Sequence, residues 1–393
     1  MCKGPVGLGA NLTLTLLFVI INKIFAKIVK RDWRIVKYQL LRLSGLLNNC
    51  VKRHFFDIKD CLKFVFIFKI NSMDRILVIG AAGQIGSELV IELRKIYKNE
   101  NVFATDLKPA SRDIMESGPY QILDVMDDKQ LIHFIIRHRI TQIYHLAAVL
   151  SGNAEKLPLQ AWHINMTSLL NVLEISKMVE DVKKLFWPSS IAVFGPTTPR
   201  TNTPQITIME PTTVYGISKL AGERWCDYFF NKFGLDVRSI RYPGLISYKT
   251  EAGGGTTDYS VEIYYDAVRK GSYECFLRNN TALPFLFMPD AINATIELME
   301  TERNKLSIHS SYNLGGLSLT PDDIFKEIKK HIPEFKITFK EDFRQKIADS
   351  WPHSLDDSVA RRDWDFKFNY DLPRMTIIML EEIKKKLKIN QDR

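Results

Sequence analysis

Cysteine is scarce in this 393-residue chain: Cys2, Cys50, Cys61, Cys226 and Cys275, three of them before residue 73. Cys226 and Cys275 stand far apart, with no second pair to complete a zinc ligand set and no disulfide framework. A reducing compartment and a metal-free chemistry are the expectation. Residues 73–393 contain no run approaching the roughly 20 apolar residues of a membrane span. They also lack an excess of either charge. The formal +9 of the chain comes from residues 1–72, which hold 13 Lys+Arg against 3 Asp+Glu and leave 41 basic and 42 acidic residues beyond. A nucleic-acid partner is therefore not expected. The overall mix, 46% hydrophobic and 25% charged, excludes a disordered, collagen-like or coiled-coil protein.

Residues 1–72 form a basic leader. Leu12–Ile21 is a short apolar run, and Lys23, Lys27, Lys30, Arg31, Arg34 and Lys37 then interleave with Ile24, Ile28, Ile35 and Leu40. A cationic amphipathic helix poor in acid reads as an organellar, mitochondrial targeting segment. A start of translation at Met73, with a cytoplasmic protein, and a membrane-surface anchor are the alternatives.

From Met73 strands alternate with helices. Asp74–Ile79 reads as a buried strand, Gly80–Gly86 as a turn and the residues to Tyr97 as a helix. Further strands are expected at Asn101–Thr105, Tyr120–Leu123, Gln142–Leu146, Lys184–Pro188, Asp236–Ile240 and Ser311–Leu314. Helices are expected at Asp128–His138, Leu159–Lys177 and Val214–Phe233. This alternation predicts an α/β fold: a Rossmann, doubly wound parallel sheet over 73–245. Residues 246–393 would form mainly a smaller substrate-binding lobe, with the strand near 311–314 returning to the sheet.

The first turn carries three glycines with separate uses. Gly80 permits the tight turn, Gly83 lets backbone amides approach a pyrophosphate, and Gly86 lets helix and strand pack closely. Free N–H groups and the positive helix end then meet the phosphate charge. Asp106 closes the second strand 20 residues beyond Gly86, where a carboxylate can bond both ribose hydroxyls and would repel a 2′-phosphate. NAD is thus expected over NADP. Asp124 and Val125 are placed to meet the adenine edge. Leu146, Ala147 and Ala148 end the fourth strand with residues suited to close passage of the cofactor, and His145 beside them reads as a packed core residue.

Tyr215 and Lys219 lie at i and i+4 at the start of a helix, on one face. A tyrosine titrates near pH ~10 and must fall two or three units to act as a base at neutral pH, roughly 3–4 kcal/mol. An ammonium at about 4 Å in an effective dielectric near 20 supplies about 4 kcal/mol. Ser189 and Ser190, at the end of the Lys184–Pro188 strand, sit where open α/β sheets place catalytic groups. The loop 195–213, with four prolines, suits a cleft wall. In Gly253–Thr257 (GGGTT), threonine hydroxyls and glycine-exposed amides suit a zwitterion's carboxylate. Arg361 and Arg362 read as solvated or interlobe pairs.

Together GAAGQIG, HLAA, the helix around Asn165 (WHINMTSLLNVLE), PSSIAVFG, YGISK and RYPG resemble the extended short-chain dehydrogenase/reductase family. AAVLSG at 147–152, PSSIAVFGP at 188–196, RYPGLIS at 241–247, GGGTTDYS at 253–260 and DSWPHSLDDSVARRDW at 349–364 resemble its NAD-dependent L-threonine 3-dehydrogenases. The resemblance runs from Met73 to about Leu387. It implies Ser190 and Tyr215 as catalytic hydroxyls with Lys219 as their electrostatic partner. It implies nucleotide contacts at Gly83, Gln84, Ile85, Asp106, Asp124, Val125, Leu146, Asn165 and Tyr242–Leu245, Gly244 included. Substrate contacts are implied at Ser151, Thr256, Thr257 and Trp351, and a helix-pair homodimer is implied as the assembly. Ser190 stands where close relatives often show Thr, and a hydroxyl is retained. The rival readings are a nucleotide-sugar epimerase or dehydratase on the same scaffold and a non-enzymatic NAD-sensing regulator. The first needs cationic contacts that 253–264 does not offer. The second has no need of the intact Ser190, Tyr215 and Lys219 set.

Overall fold

In a computed structural model, residues 74–251 and 253–391 are described. The leader lies outside them. Strand β1 (Ile76–Ile79) is wholly buried, as four consecutive apolar residues require of a central parallel strand. Helix α1 (Gln84–Tyr97) follows it, then β2 (Val102–Asp106), β3 (Tyr120–Ile122), α2 (Asp128–His138) and β4 (Gln142–His145). Next come α3 (Pro158–Met178), β5 (Lys184–Phe186), β6 (Ser189–Ser190), α4 (Val214–Phe233) and β7 (Asp236–Arg238). Six strands pair in parallel in the order β3-β2-β1-β4-β5-β7. The order reverses between β1 and β4, which opens a crevice at the carboxyl ends of those strands.

Two expected strands are divided. Pro188 has no N–H to give a ladder, so β5 stops at Phe186 and the chain resumes as β6. The Asp236–Ile240 segment likewise breaks at Ser239 into β7 and β8 (Ile240–Tyr242). Strand β8 lies between β6 and the later β12 (Tyr312–Asn313), parallel to both. The 311–314 segment thus reaches the continuation of the main sheet. Between them run β9 (Gly244–Ile246), α5 (Tyr259–Lys270), β10 (Ser272–Cys275), β11 (Leu283–Phe287) and α6 (Met288–Glu300). The chain then closes with β13 (Leu317–Leu319), α7 (Pro321–His331), β14 (Lys336–Phe339) and α8 (Leu372–Gln391).

The segment after residue 245 serves two cores. Met288, Ala291, Ile292 and Leu298 of α6 pack with Ile76, Val78 and Leu89, on the nucleotide side. Tyr259, Tyr264, Ile328, Phe335, Met375 and Ile383 build a separate core with Ile191–Phe194 and Trp351. Residues 191–194 therefore join the end of β6 to the second core.

Candidate active site

The glycine turn is set by backbone crowding. Gly80 has φ +87°, and a Cβ there would lie 2.8 Å from the Ala147 nitrogen; one on Gly86 would lie 2.2 Å from the Gly80 oxygen. At Gly83 a Cβ would meet the Gly80 oxygen at 3.2 Å, a tight contact, with no other atom in reach. The amides of Gly80 and Ala81 both donate to Thr105 O, at 2.9 and 3.0 Å, fastening the turn to β2. Gly83 N-caps α1 with no side-chain cap, and no acidic residue stands in the helix's first turn. Those amides and the helix dipole suit a pyrophosphate. Asp106 Oδ2 accepts from the Ala82 amide at 2.9 Å, so the carboxylate that would bond ribose also braces the turn.

Asp124 and Val125 follow β3 at the same end of the sheet. Asp124 is exposed and accepts from Met126 N; Val125 is buried. Asn165 is buried and bonds the main chain. Its amide oxygen accepts from Val149 N at 2.7 Å and its nitrogen donates to Val149 O, pinning the chain that leaves β4.

One cleft gathers much of the remaining set. Gln84, Ile85, Leu146, Ala148, Tyr242, Gly244 and Leu245 line it beside Ser190, Tyr215 and Lys219, and beside Ser151, Thr256, Thr257 and Trp351. Pro243, within the Tyr242–Leu245 contact segment, lines it as well; Leu150, Ile191 and Asp258 line it too and were missed. The two apolar ones look like any core residue in sequence. Asp258, directly after a glycine run, had a usable signal as a loop anchor.

Helix α4 presents Tyr215 and Lys219. The Thr213 hydroxyl accepts from Gly216 N at 3.1 Å and caps its start, and Gly234 ends it at φ +72°. Tyr215 is half-buried in the first turn, with Ser190 near enough to favour its phenolate. Lys219 is buried; its Nζ donates to Pro188 O at 2.5 Å and lies 4.4 Å from the Trp187 ring centre and 5.5 Å from that of Tyr215. The sequence argument made the lysine's charge the dominant influence on the tyrosine. In the structure burial dominates instead: it pushes the Tyr215 phenol up to about 12, against the Ser190 hydroxyl, and draws Lys219 down to about 7. The Lys219 ammonium donates to the Pro188 carbonyl. A phenolate here needs a further positive charge in the cleft.

The GGGTT segment is also arranged otherwise than expected. Gly254 and Gly255 amides both donate to Asp258 Oδ2 at 2.7 Å, so they are not free for a substrate carboxylate. Hydroxyls remain: Ser151 Oγ and Thr256 Oγ1 are 3.3 Å apart, and the Thr256 amide donates to Ser151. Trp351 both packs in the second core and faces the cleft. Arg361 pairs with Asp357, and Arg362 with Asp363, away from the cleft. His145 is buried against Ser168, and burial draws it down to about 3, a packed neutral imidazole. No cluster of three His, Cys, Asp or Glu residues fit for a metal occurs among the described residues.

A doubly wound parallel sheet, a glycine turn braced by an acid and a Ser–Tyr–Lys cleft define a Rossmann-type oxidoreductase that uses NAD. The sequence model of the NAD dependent epimerase/dehydratase family matches residues 76–315, and the chain belongs to that family. An uncharacterised epimerase/dehydratase of Staphylococcus saprophyticus is 48% identical over 318 residues, 80% of this chain and 99% of that protein. The GalE-like L-threonine dehydrogenase from Cupriavidus necator, in its holo form, is 52% identical with a TM-score of 0.76, covering 79% of this chain and 99% of that one. A monomeric L-threonine 3-dehydrogenase from a metagenome is 45% identical, TM-score 0.76, with the same coverage. The family match begins beyond the leader, and these relatives lend no support to an organellar destination.

Replacing Asp106 by alanine is expected to raise the KM for NAD about tenfold or more, the worth of a lost charged hydrogen bond, and to narrow the preference over NADP. Initial rates with both cofactors measure this; an unchanged preference removes Asp106 from the ribose site.

Proposed function

We propose that the protein oxidises L-threonine at its 3-hydroxyl, with hydride passing to NAD, giving 2-amino-3-oxobutanoate. The observation that carries this reading is the cleft itself, where Ser190 and Tyr215 share a lining with the hydroxyls of Ser151, Thr256 and Thr257 and with the nucleotide-side residues. The solved L-threonine dehydrogenases cited above, at 45–52% identity over nearly their whole length, support it. NAD supplies the hydride acceptor and, at its nicotinamide ring, a positive charge. Tyr215 takes the proton of the 3-hydroxyl and Ser190 orients that hydroxyl. Lys219 favours the phenolate and reaches the nicotinamide ribose. Ser151, Thr256 and Thr257 hold the carboxylate by hydroxyl donors, since the Gly254 and Gly255 amides are taken by Asp258. A nucleotide-sugar substrate fits less well: among the described residues lining the cleft Lys219 is the single cation, too few for a diphosphate.

The test is NADH formation by the purified full-length protein with L-threonine, L-serine, L-allo-threonine and UDP-sugars side by side. L-Threonine is expected to give the highest kcat/KM, and turnover of a UDP-sugar in its place overturns the reading. The assembly proposed is a homodimer through α3 and α4, whose outer faces expose Trp162, Ile217, Trp225 and Tyr228. Light scattering on the same sample should give twice the 45.4 kDa chain mass; the chain mass itself would place this protein with its monomeric relative.

A further inference from the structure

Behind the cleft lies a buried carboxylate that the mechanism above does not use. Glu223 stands four residues beyond Lys219 on α4 and is fully buried. Its Oε1 accepts from Ser189 Oγ at 2.6 Å and from Arg241 Nε at 2.8 Å, and its Oε2 accepts from Arg241 Nη2 at 2.8 Å. Ser189 and Arg241 are register partners on β6 and β8, and the next pair along is Ser190 and Tyr242. Each of the three elements that meet at this carboxylate therefore carries a cleft residue beside its anchor. On β6 it is Ser190, on β8 Tyr242, and on α4 Tyr215 and Lys219. Arg241 is in turn fixed by Gln205 O and Asn313 Oδ1, each at 2.9 Å. A bidentate, buried Arg–carboxylate pair holds direction as well as distance.

We infer that Glu223 is a positioning residue for the reaction: by tying Ser189 and Arg241 to α4 it holds the Ser190 hydroxyl in register with Tyr215 and Lys219. The inference rests on the reading of the cleft as a dehydrogenase site. A second effect follows from the same placement, because the carboxylate's charge helps Lys219 keep its proton. The other titratable groups facing Lys219 are Tyr215 and Cys226 from α4 itself and His145 from β4; Arg241 reaches it through Glu223. A desolvated lysine with its supporting anion removed holds its proton less firmly, so its titration moves to lower pH.

The experiment compares Glu223→Gln, Ser189→Ala and Ser189→Thr in the full-length protein. It reads kcat and KM across pH, and the titration of Lys219 by NMR of ε-13C-labelled lysine, assigned with Lys219→Met. Glu223→Gln is expected to move the Lys219 titration, and the basic limb of kcat with it, down by about one pH unit. Its kcat should fall about tenfold, with KM values within about twofold. Ser189→Ala is expected to lower kcat about fivefold with the lysine titration unmoved, and Ser189→Thr to restore it. An unmoved titration with unaltered kcat in Glu223→Gln overturns the inference. So does a Ser189→Ala enzyme within twofold of the parent, which decides the matter alone should Glu223→Gln not fold. Failure of the parent protein to oxidise L-threonine would instead overturn the functional reading, and the lysine titration would still report on the network.

Discussion

Tyr215→Phe is expected to lower turnover with L-threonine by at least about a hundredfold while NAD still binds. The substitution removes the proton acceptor and keeps the ring that stands over the Lys219 ammonium. The loss should fall on kcat, because the missing group acts on the reacting hydroxyl. The pH profile carries a second signature. Burial raises the Tyr215 phenol and the Ser190 hydroxyl opposes it, so the parent enzyme should lose activity as the pH falls through the apparent pKa of the bound complex. That acidic limb should vanish from the residual activity of Tyr215→Phe. Lys219→Met should keep the limb and move it to higher pH, since the positive charge favouring the phenolate is gone. Near-normal threonine oxidation by Tyr215→Phe would show that the assigned base is wrong.

Gly86→Ala should nearly abolish cofactor binding. The added methyl would sit 2.2 Å from the Gly80 oxygen and 2.8 Å from the Ala81 Cα, both main-chain atoms. That main chain cannot retreat cheaply, because Gly80 and Ala81 donate to Thr105 and Ala82 donates to Asp106. Overpacking of this kind costs about 1–3 kcal/mol, and relief comes only by shifting the turn that presents amides to the pyrophosphate. NAD affinity, read by NADH fluorescence, is expected to fall by roughly a hundredfold, with a lower melting temperature. A variant that binds NAD normally would show that the turn has slack this packing denies. The same methyl at Gly83 meets a single atom at 3.2 Å and should be tolerated better in the fold than in the cofactor site.

Residues 74–245 were legible because their signals are local. Helices Asp128–His138 and Val214–Phe233 fall where their caps and periodicity put them: Asp127 accepts from Gln130 N, and Thr213 and Gly234 bracket α4. Past residue 245 the strands have two to five residues and pair with distant partners, β9 with β11 and β10 with β14. Such short segments carry little pattern of their own. In the cleft, spacing located Tyr215 and Lys219 on one helix face, but spacing does not say where an ammonium points. The Pro188 carbonyl that receives it lies 31 residues away. The Gly254 and Gly255 amides were misjudged for a related reason. Glycine exposes its N–H, and only the folded loop reveals that Asp258, a few residues on, has already taken it.

The bond between Asp106 and the Ala82 amide limits how the enzyme's redox partner can be changed. Conversion to a phosphorylated nicotinamide cofactor ordinarily begins by deleting the acidic side chain at this position and adding a cation nearby. Here that deletion would also cut the tie to Ala82 and loosen the loop that both cofactors need. A redesign has to divide the two duties. Asparagine at this position would retain an oxygen for the Ala82 amide while giving up the charge, leaving Lys108, whose own amide lies 3.4 Å from Asp106 Oδ1, as the nearby cation to build on.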